Sequence, residues 1–327
     1  MTQNWRKGYY CWHISGQNRG QPRFRFGEYA IYKAYVLLAL TTLFWAGNSI
    51  AGKLAVGHAS PMVLATIRWA SVMVVLYLFS RKQIAADWPA IRSRLCYLLI
   101  LGALGFTVFS VALYYALVYT TAINASILQG GMPLFVFAAS FILFSSRIGV
   151  EQAVGFVFSF IGVLVIAMGG ELSRLIDLDV NFGDALMLVA IIAYGIYTAA
   201  LRSKPSIHWT SLMFTLCVGA TLAALPMLGF EAARGETIVP DLRGWAAILY
   251  IVIFPSLIAQ VFYIKAVELI GANRAGLFIN LLPLWGALLA VTALGEAFLL
   301  YHAIALVMIL AGISLAEFGG RKSGRRK

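Results

Sequence analysis

Long apolar stretches alternate with short polar ones along the chain, and the same polar interruptions occur in two of the apolar stretches. About 20 predominantly apolar residues is the length of helix that crosses a hydrocarbon core. Ten such spans are predicted, near 34–55, 60–80, 96–118, 121–144, 150–168, 183–201, 207–230, 245–268, 272–294 and 299–318. Connections as short as that at Tyr119 require tight antiparallel hairpins. The longest internal polar stretch, Gly169 to Asn181 with Glu171, Arg174, Asp177 and Asp179, separates two halves. The expected organisation is a basic tail over 1–33, a five-span repeat over 34–169, a connecting loop over 170–182, a second five-span repeat over 183–318, and a basic tail over 319–327.

The run TTAINASILQGGMP, Thr120 to Pro133, has a counterpart in IGANRAGLFINLLP, which ends at Pro283. An offset of 150 positions superimposes Ala122 on Ala272, Ala125 on Ala275, Pro133 on Pro283 and Gly162 on Gly312. In the first two spans of each half the offset is 149, which pairs Trp45 with Tyr194, Asn48 with Tyr197, Ala51 with Ala200 and Lys53 with Arg202. Five spans per half is an odd number, so the second half starts on the opposite face and the repeat is inverted. Each proline falls within an apolar span, where it withdraws an N–H from the carbonyl four residues back, at Gln129 and Ile279. An orphan carbonyl in lipid is costly, and interrupted helices at matching places in two halves point to a substrate path.

Composition agrees with a membrane chain: 61% hydrophobic, 12% charged, mean hydropathy +0.85, against roughly 25% charged in soluble domains. The 25 Lys and Arg exceed the 13 Asp and Glu, but their distribution speaks against nucleic acid. They collect in the N-terminal tail, in Arg81 to Arg94 and in the terminal RKSGRRK, as cytoplasmic loops do. With the N-terminus inside, 20 basic residues fall on that side and 4 on the other. The expectation is a bacterial plasma-membrane protein with both termini cytoplasmic. Residues 1–32 have no acid before Glu28, but their aromatic, Ser-poor make-up fits a disordered tail or an overlong start better than a transit peptide. Cys11, Cys96 and Cys217 are widely separated, and His13, His58, His208 and His302 are scattered, so no disulfide, metal site or cofactor is expected.

FWAGNSIAGKLA, then Pro61 and Arg68-Trp69, then ALVYTTAINASILQGGMPLF, and later AVELIGANRAGLFINLLPLWGALLAVTALGE with Gly312 resemble the two repeats of the EamA group of the drug/metabolite transporter superfamily. The resemblance runs from Tyr35 to Glu317. It implies an all-α, ten-helix, inverted-repeat transporter that moves small metabolites or amino acids, often outward, through a cavity lined mainly by spans one, three, four, six, eight and nine. The expected partners are a small-molecule solute and the lipid bilayer, with a homodimer as a further option. One departure is that Ser145-Ser146 stands where the second half has Gly295-Glu296.

Trp45 and Asn48 lie three apart on one helical face, as do Tyr194 and Tyr197, and Gln260 and Tyr263 repeat the spacing. They read either as a cavity wall for an amphipathic solute or as helix packing with polar glue. Gln129 and Asn280 sit beside the prolines and need partners away from lipid. Ser126 and Gly130, with Gly276, fit close helix packing. Arg68 would lie about 12 Å deep, where it either pairs with Glu296 or receives a substrate carboxylate. Glu296 could instead titrate and couple transport to protons, or face headgroups at a helix end. Lys265 and Glu268 read as snorkelling at a membrane edge. No Ser-His-Asp set, HExxH or phosphate loop suggests an enzyme. A multispan enzyme or a scaffold is the alternative.

Overall fold

The computed structural model describes residues 25–144, 150–170, 181–271, 275–276 and 278–324. The N-terminal tail to residue 24, Ser145 and Ser146, residues 171–180 of the expected connecting loop, Ala272 and the last residues 325–327 lie outside them. The described residues form helices α1 (Arg25–Leu54), α2 (Pro61–Ser93), α3 (Leu95–Tyr119), α4 (Ala122–Gly130), α5 (Met132–Phe144), α6 (Val150–Ala167), α7 (Phe182–Ala200), α8 (Trp209–Ala233), α9 (Leu242–Ile270), α10 (Leu282–Leu294) and α11 (Leu300–Gly324).

Six of these helices are long and apolar enough to cross a membrane unaided, and counting the bent pair α4 and α5 as one span makes seven. The expected ten is not reached because three further apolar segments, Ala153–Ala167, Phe278–Leu294 and Leu300–Leu315, are short. At 1.5 Å per residue, the 18 residues of α6 reach about 27 Å, against a core of about 30 Å. The Arg81 to Arg94 stretch, expected as a loop, is instead the end of α2, which runs on to Ser93. Its buried Ile84 and Ile91, two turns apart, pack with Leu98, Ile207 and Phe214 and give the extension an apolar stripe.

Contacts between the halves come in equivalent sets. α2 packs on α8, α6 on α11 and α4 on α10, while α5 on α7 matches α10 on α1, and α3 on α7 matches α9 on α1. α6 and α11 approach each other closely at two glycines. A Cβ on Gly162 would lie 2.9 Å from the Ala305 carbonyl, and one on Gly312 would lie 2.5 Å from the Gly155 carbonyl. Ser159 Oγ donates to the Ile309 carbonyl at 3.3 Å, across a separation of 150 residues. A lower number on α6 meets a higher one on α11, so the two helices run antiparallel, and each touches the other through matching residues. Small residues let such backbones meet.

A layer of polar contacts closes one end of the bundle, the end that carries Lys53, Thr120 and Glu296. Asp241 caps α9 there by accepting from Gly244 N–H at 2.9 Å, and His58 Nδ1 lies 2.7 Å from its other oxygen. The Gly244 N–H and the His58 ring hold this exposed carboxyl below the usual Asp range. Glu231 is buried, and its carboxylate accepts from the Ser60 hydroxyl and from Tyr115 OH.

Gly312→Leu should break the α6–α11 contact, because its side chain has nowhere to go but the α6 backbone. Overpacking of this kind costs about 1–3 kcal/mol. The expected outcome is a lower melting temperature and less monodisperse protein in size-exclusion chromatography, with Gly229→Leu, at an open position, unchanged.

Candidate functional site

Proline creates the site by breaking a helix that nothing in the apolar pattern interrupts. Pro255 has no N–H for the carbonyl of Ile251, and around it α9 widens into a π segment over Val252–Ile258. In that segment the Ile251 carbonyl takes the backbone N–H of Ser256, five residues on, and Ser256 Oγ adds a second donor to it at 2.8 Å. Its lone pairs then accept from Arg68 Nε at 2.9 Å. Proline, serine and arginine are thus one chain of cause. α3 contains a second π segment at the equivalent place, Ala103–Val108, and a tryptophan indole binds a carbonyl in each. Trp45 Nε1 donates to Pro255 O at 3.1 Å, and Trp69 Nε1 to Phe106 O at 3.2 Å.

Arg68 is 7% exposed and makes no ion pair with a carboxylate among the described residues. Nη1 donates to Tyr114 OH at 2.8 Å and to Asn48 Oδ1 at 3.2 Å, and Tyr114 OH donates to the same Asn48 oxygen at 3.0 Å. The guanidinium carbon lies 4.4 Å from the centre of the Trp69 ring, a cation–π contact. Bonds run through Nε and Nη1, and Nη2 has no partner among the described residues. The expected pairing with Glu296 is not formed. Glu296 instead accepts from the backbone N–H of Ala122 and Ile123 at 2.8 and 2.9 Å, at the N-terminus of α4. Those N–H groups have no intrahelical partner and a helix N-terminus favours a carboxylate, which explains the placement.

Aromatic rings extend from the arginine. Trp69 stacks on Phe106 at 4.3 Å, Phe106 meets Tyr197 at 5.6 Å, Tyr197 meets Tyr194 at 5.4 Å, and Trp45 meets Tyr263 at 5.5 Å. Tyr194 is near enough to Arg68 and Tyr263 to feel both electrostatically. The structure therefore brings Trp45, Asn48, Arg68, Tyr194, Tyr197 and Tyr263 together from α1, α2, α7 and α9. Gln260 and Asn280 are half-buried, with no side-chain hydrogen bond among the described residues. Gln129 is buried and donates through Nε2 to Ser49 Oγ at 2.8 Å and to the Ala125 carbonyl at 3.2 Å. Lys265 and Glu268 are exposed.

The two prolines were expected inside weakened helices, and the structure corrects this. The chain bends by 41° between α4 and α5, Pro133 is the second residue of α5, and Pro283 is the second of α10 after a 3-10 turn over Phe278–Leu281. At those positions a missing N–H costs nothing within the new helix. The two breaks touch, since a Cβ on Gly130 would lie 3.1 Å from Pro283 Cγ. A Cβ on Gly286 would lie still closer, 2.3 Å from the Ser126 side chain, so Ser126 and Gly130 serve packing. Sequence reasoning passed over Tyr114, Ser256 and Pro255. A mid-span proline followed by serine was the available signal.

Among the described residues no group of three His, Cys, Asp or Glu is placed to hold a metal ion. The model of the EamA-like transporter family matches residues 32–168 and 181–318, one match for each half. The chain belongs to the EamA-like transporter family. It is 26% identical over 284 residues to the uncharacterized transporter YetK of Bacillus subtilis (strain 168), covering 86% of this chain and 85% of that one. With an uncharacterized transporter of Archaeoglobus fulgidus it shares 32% over 295 residues, covering 86% and 96%. A solved structure titled "Crystal structure of protein" superimposes with a TM-score of 0.58 at 18% identity, over 90% of this chain and 98% of that one, which shows a shared fold. Members of this family are transporters, and the buried polar cluster lies inside a multi-pass membrane protein of that family.

Ser256→Ala deletes a bond to a charged group, a loss of about 1.5–3 kcal/mol. Ser256→Thr keeps the hydroxyl. The expected outcome is a melting temperature lowered in the alanine variant and largely recovered in the threonine variant, measured by differential scanning fluorimetry in detergent.

Proposed function

We propose that the chain is a ten-span, inverted-repeat secondary transporter that moves a small metabolite or amino-acid-like solute outward by alternating access, and that the Arg68 cluster holds the solute. The observation that carries this reading is a buried guanidinium solvated only by neutral groups. An arginine at a helix centre costs about 2.5–3.5 kcal/mol on insertion scales, and a fold that needed only stability would do better with an apolar residue there. Nη2 is left to bind a carboxylate or similarly polar end of a solute, with the Trp45, Tyr194, Tyr197 and Tyr263 rings facing its apolar body. Gln260 and Asn280, half-buried and without partners, extend the polar wall, and Gln129 acts behind Ser49.

Inversion is supported by the antiparallel α6–α11 contact between residues 150 apart and by π segments at equivalent places. The three short apolar segments, added to seven spans, make ten. In this reading the touching breaks at Pro133 and Pro283 are the points about which the two halves exchange shapes, as interrupted helices do in other inverted-repeat carriers. The charge count supports both termini in the cytoplasm and the Lys53 end outside.

Two experiments test this. In a variant lacking the native cysteines, Glu236→Cys should react with an impermeant thiol reagent added to sealed cells and Ser323→Cys should not; the opposite pattern would reverse the topology. Purified protein in liposomes should release amino acids or small carboxylic acids from a loaded panel. Arg68→Gln should then weaken the apparent affinity for the transported solute about tenfold or more, the loss of roughly 1.4 kcal/mol. Unchanged affinity would remove Arg68 from the site, and release of no solute would end the transport reading.

A further inference from the structure

Away from Arg68, the structure holds a second ionisable group with no opposite charge beside it. Asp184, in the first turn of α7, is 1% exposed. Its Oδ1 accepts from Thr120 Oγ1 at 2.6 Å, and its Oδ2 from Asn124 Nδ2 at 3.1 Å. No cation lies within ion-pair distance of it among the described residues. Asn124 Oδ1 is in turn 3.0 Å from His302 Nε2, and His302 Nδ1 is 2.8 Å from the backbone nitrogen of Leu299. The directions of the bonds from Leu299 through His302 to Asn124 are fixed. A backbone N–H can only donate, so Nδ1 accepts and Nε2 carries the ring proton. Nε2–H therefore donates to the Asn124 oxygen, and the Asn124 amide hydrogens point at Asp184. All of these donors converge on the carboxylate.

The bonds cross between the two repeats. Thr120 and Asn124 belong to the first, Asp184 and His302 to the second, and four elements meet at this point: the end of α3 and the starts of α4, α7 and α11. Other titratable groups at this end include Lys53, Glu296, Tyr301, Glu231, Tyr115, Tyr119 and the His58–Asp241 pair, whose two members are bonded to each other. Lys53 Nζ donates to the Leu117 and Thr120 carbonyls, both at 2.7 Å. Glu296 is taken up by the α4 N–H groups, and Tyr301 lies against the His302 ring. Glu231 is also buried, but its two partners are the hydroxyls of Ser60 and Tyr115, outside the Asp184 series. The opposite end has no counterpart in sequence. At 149 or 150 positions from Thr120, Asn124, Asp184 and His302 stand Ile270, Arg274, Ala34 or Tyr35, and Gln152, none of them a carboxylic acid.

We propose that Asp184 is a proton-binding site, and that a proton arriving there releases the Lys53 end of the bundle. The coupling ion of the carrier is then H⁺. As a carboxylate, Asp184 accepts charge-assisted bonds from the first repeat. As a carboxylic acid it accepts only neutral ones, about half as strong, and its own O–H can be accepted by Thr120 Oγ1 only if that hydroxyl turns its hydrogen away from Asp184. The inter-repeat bonds loosen, and this end opens. Because the opposite end lacks the device, the proton acts on one face of the membrane only. The inference rests on the transport reading, but opening can be measured without any solute.

The test uses the full-length protein with its native cysteines replaced and nitroxide labels on Leu54→Cys and Leu300→Cys, both exposed residues at this end, one from each repeat. Electron–electron resonance in liposomes gives the distance between them at about pH 8 and about pH 5, either side of the usual Asp and His ranges. The expected result is a shift to longer distances on acidification. Asp184→Asn, which mimics the neutral acid, should give the long distance at both values, while Glu231→Gln and Glu296→Gln keep the shift. His302→Gln should also keep it, since glutamine can still donate to Asn124. A distance that does not change with pH, or a shift that survives in Asp184→Asn, overturns the proposal. So does a shift lost in His302→Gln or Glu231→Gln and kept in Asp184→Asn. If Asp184→Asn fails to fold, Thr120→Val with Asn124→Leu removes the donors instead and should give the long distance at both values; a retained shift there also overturns it. Transport that proceeds in liposomes without the pH-dependent shift would end the proton site and leave the carrier, whereas the shift without transport would end the carrier reading alone.

Discussion

A positive charge inside a bundle that meets lipid on its outside has to be solvated by the protein, and here that demand falls on four neutral groups. Ser256, Asn48, Tyr114 and the Trp69 ring surround Arg68. They come from α1, α2, α3 and α9, so those helices can reach their places only together. An acid in place of the neutral partners would have cancelled the charge and closed the guanidinium in a salt bridge. Neutral dipoles solvate it and leave its charge unspent. That distinction separates a structural arginine from one free to meet a ligand, and it turns on the identity of partners, not on depth.

Helix interruptions supply the partners. An unbroken helix has no spare backbone acceptor and directs few polar groups inward. The π segments in α3 and α9 each present a carbonyl to a tryptophan indole, and Pro255 makes Ser256 bridge the backbone and the arginine. The breaks at Pro133 and Pro283 are of another kind. They end one helix and begin the next without an orphan N–H, and they rest on each other across the repeat boundary. Interruptions that cost stability in a uniform helix become affordable where a neighbouring side chain satisfies the exposed group.

Much of the architecture was legible because symmetry repeats it. Gly162 and Gly312 fell in register in the sequence, and the structure puts them in matching close contacts between α6 and α11. Trp45, Tyr194 and Tyr263 were legible from three-residue spacing, which fixes a helical face. The partners of Arg68 were not. A search for opposite charge selects Glu296, since sequence shows charge plainly, whereas a serine hydroxyl or a tyrosine OH becomes a partner only through the crossing of two helices. The end of α2 was misread for a related reason, as charge density suggested a loop while Ile84 and Ile91 keep a buried stripe seven residues apart.

The two repeats are alike where they touch and unlike in their buried charged residues, a combination that suits the proposed carrier. Matching backbones give two arrangements of comparable energy, since a packed core is bistable and not continuously deformable. Identical halves would leave nothing to choose between those arrangements. Arg68, Asp184 and Glu296 have no charged counterparts of the same sign at the equivalent positions, and each has its bonding partners on a different helix from its own. In the proposed cycle, divergence of the charged residues on a shared packing frame biases the exchange between states, and that bias responds to whatever binds at those residues.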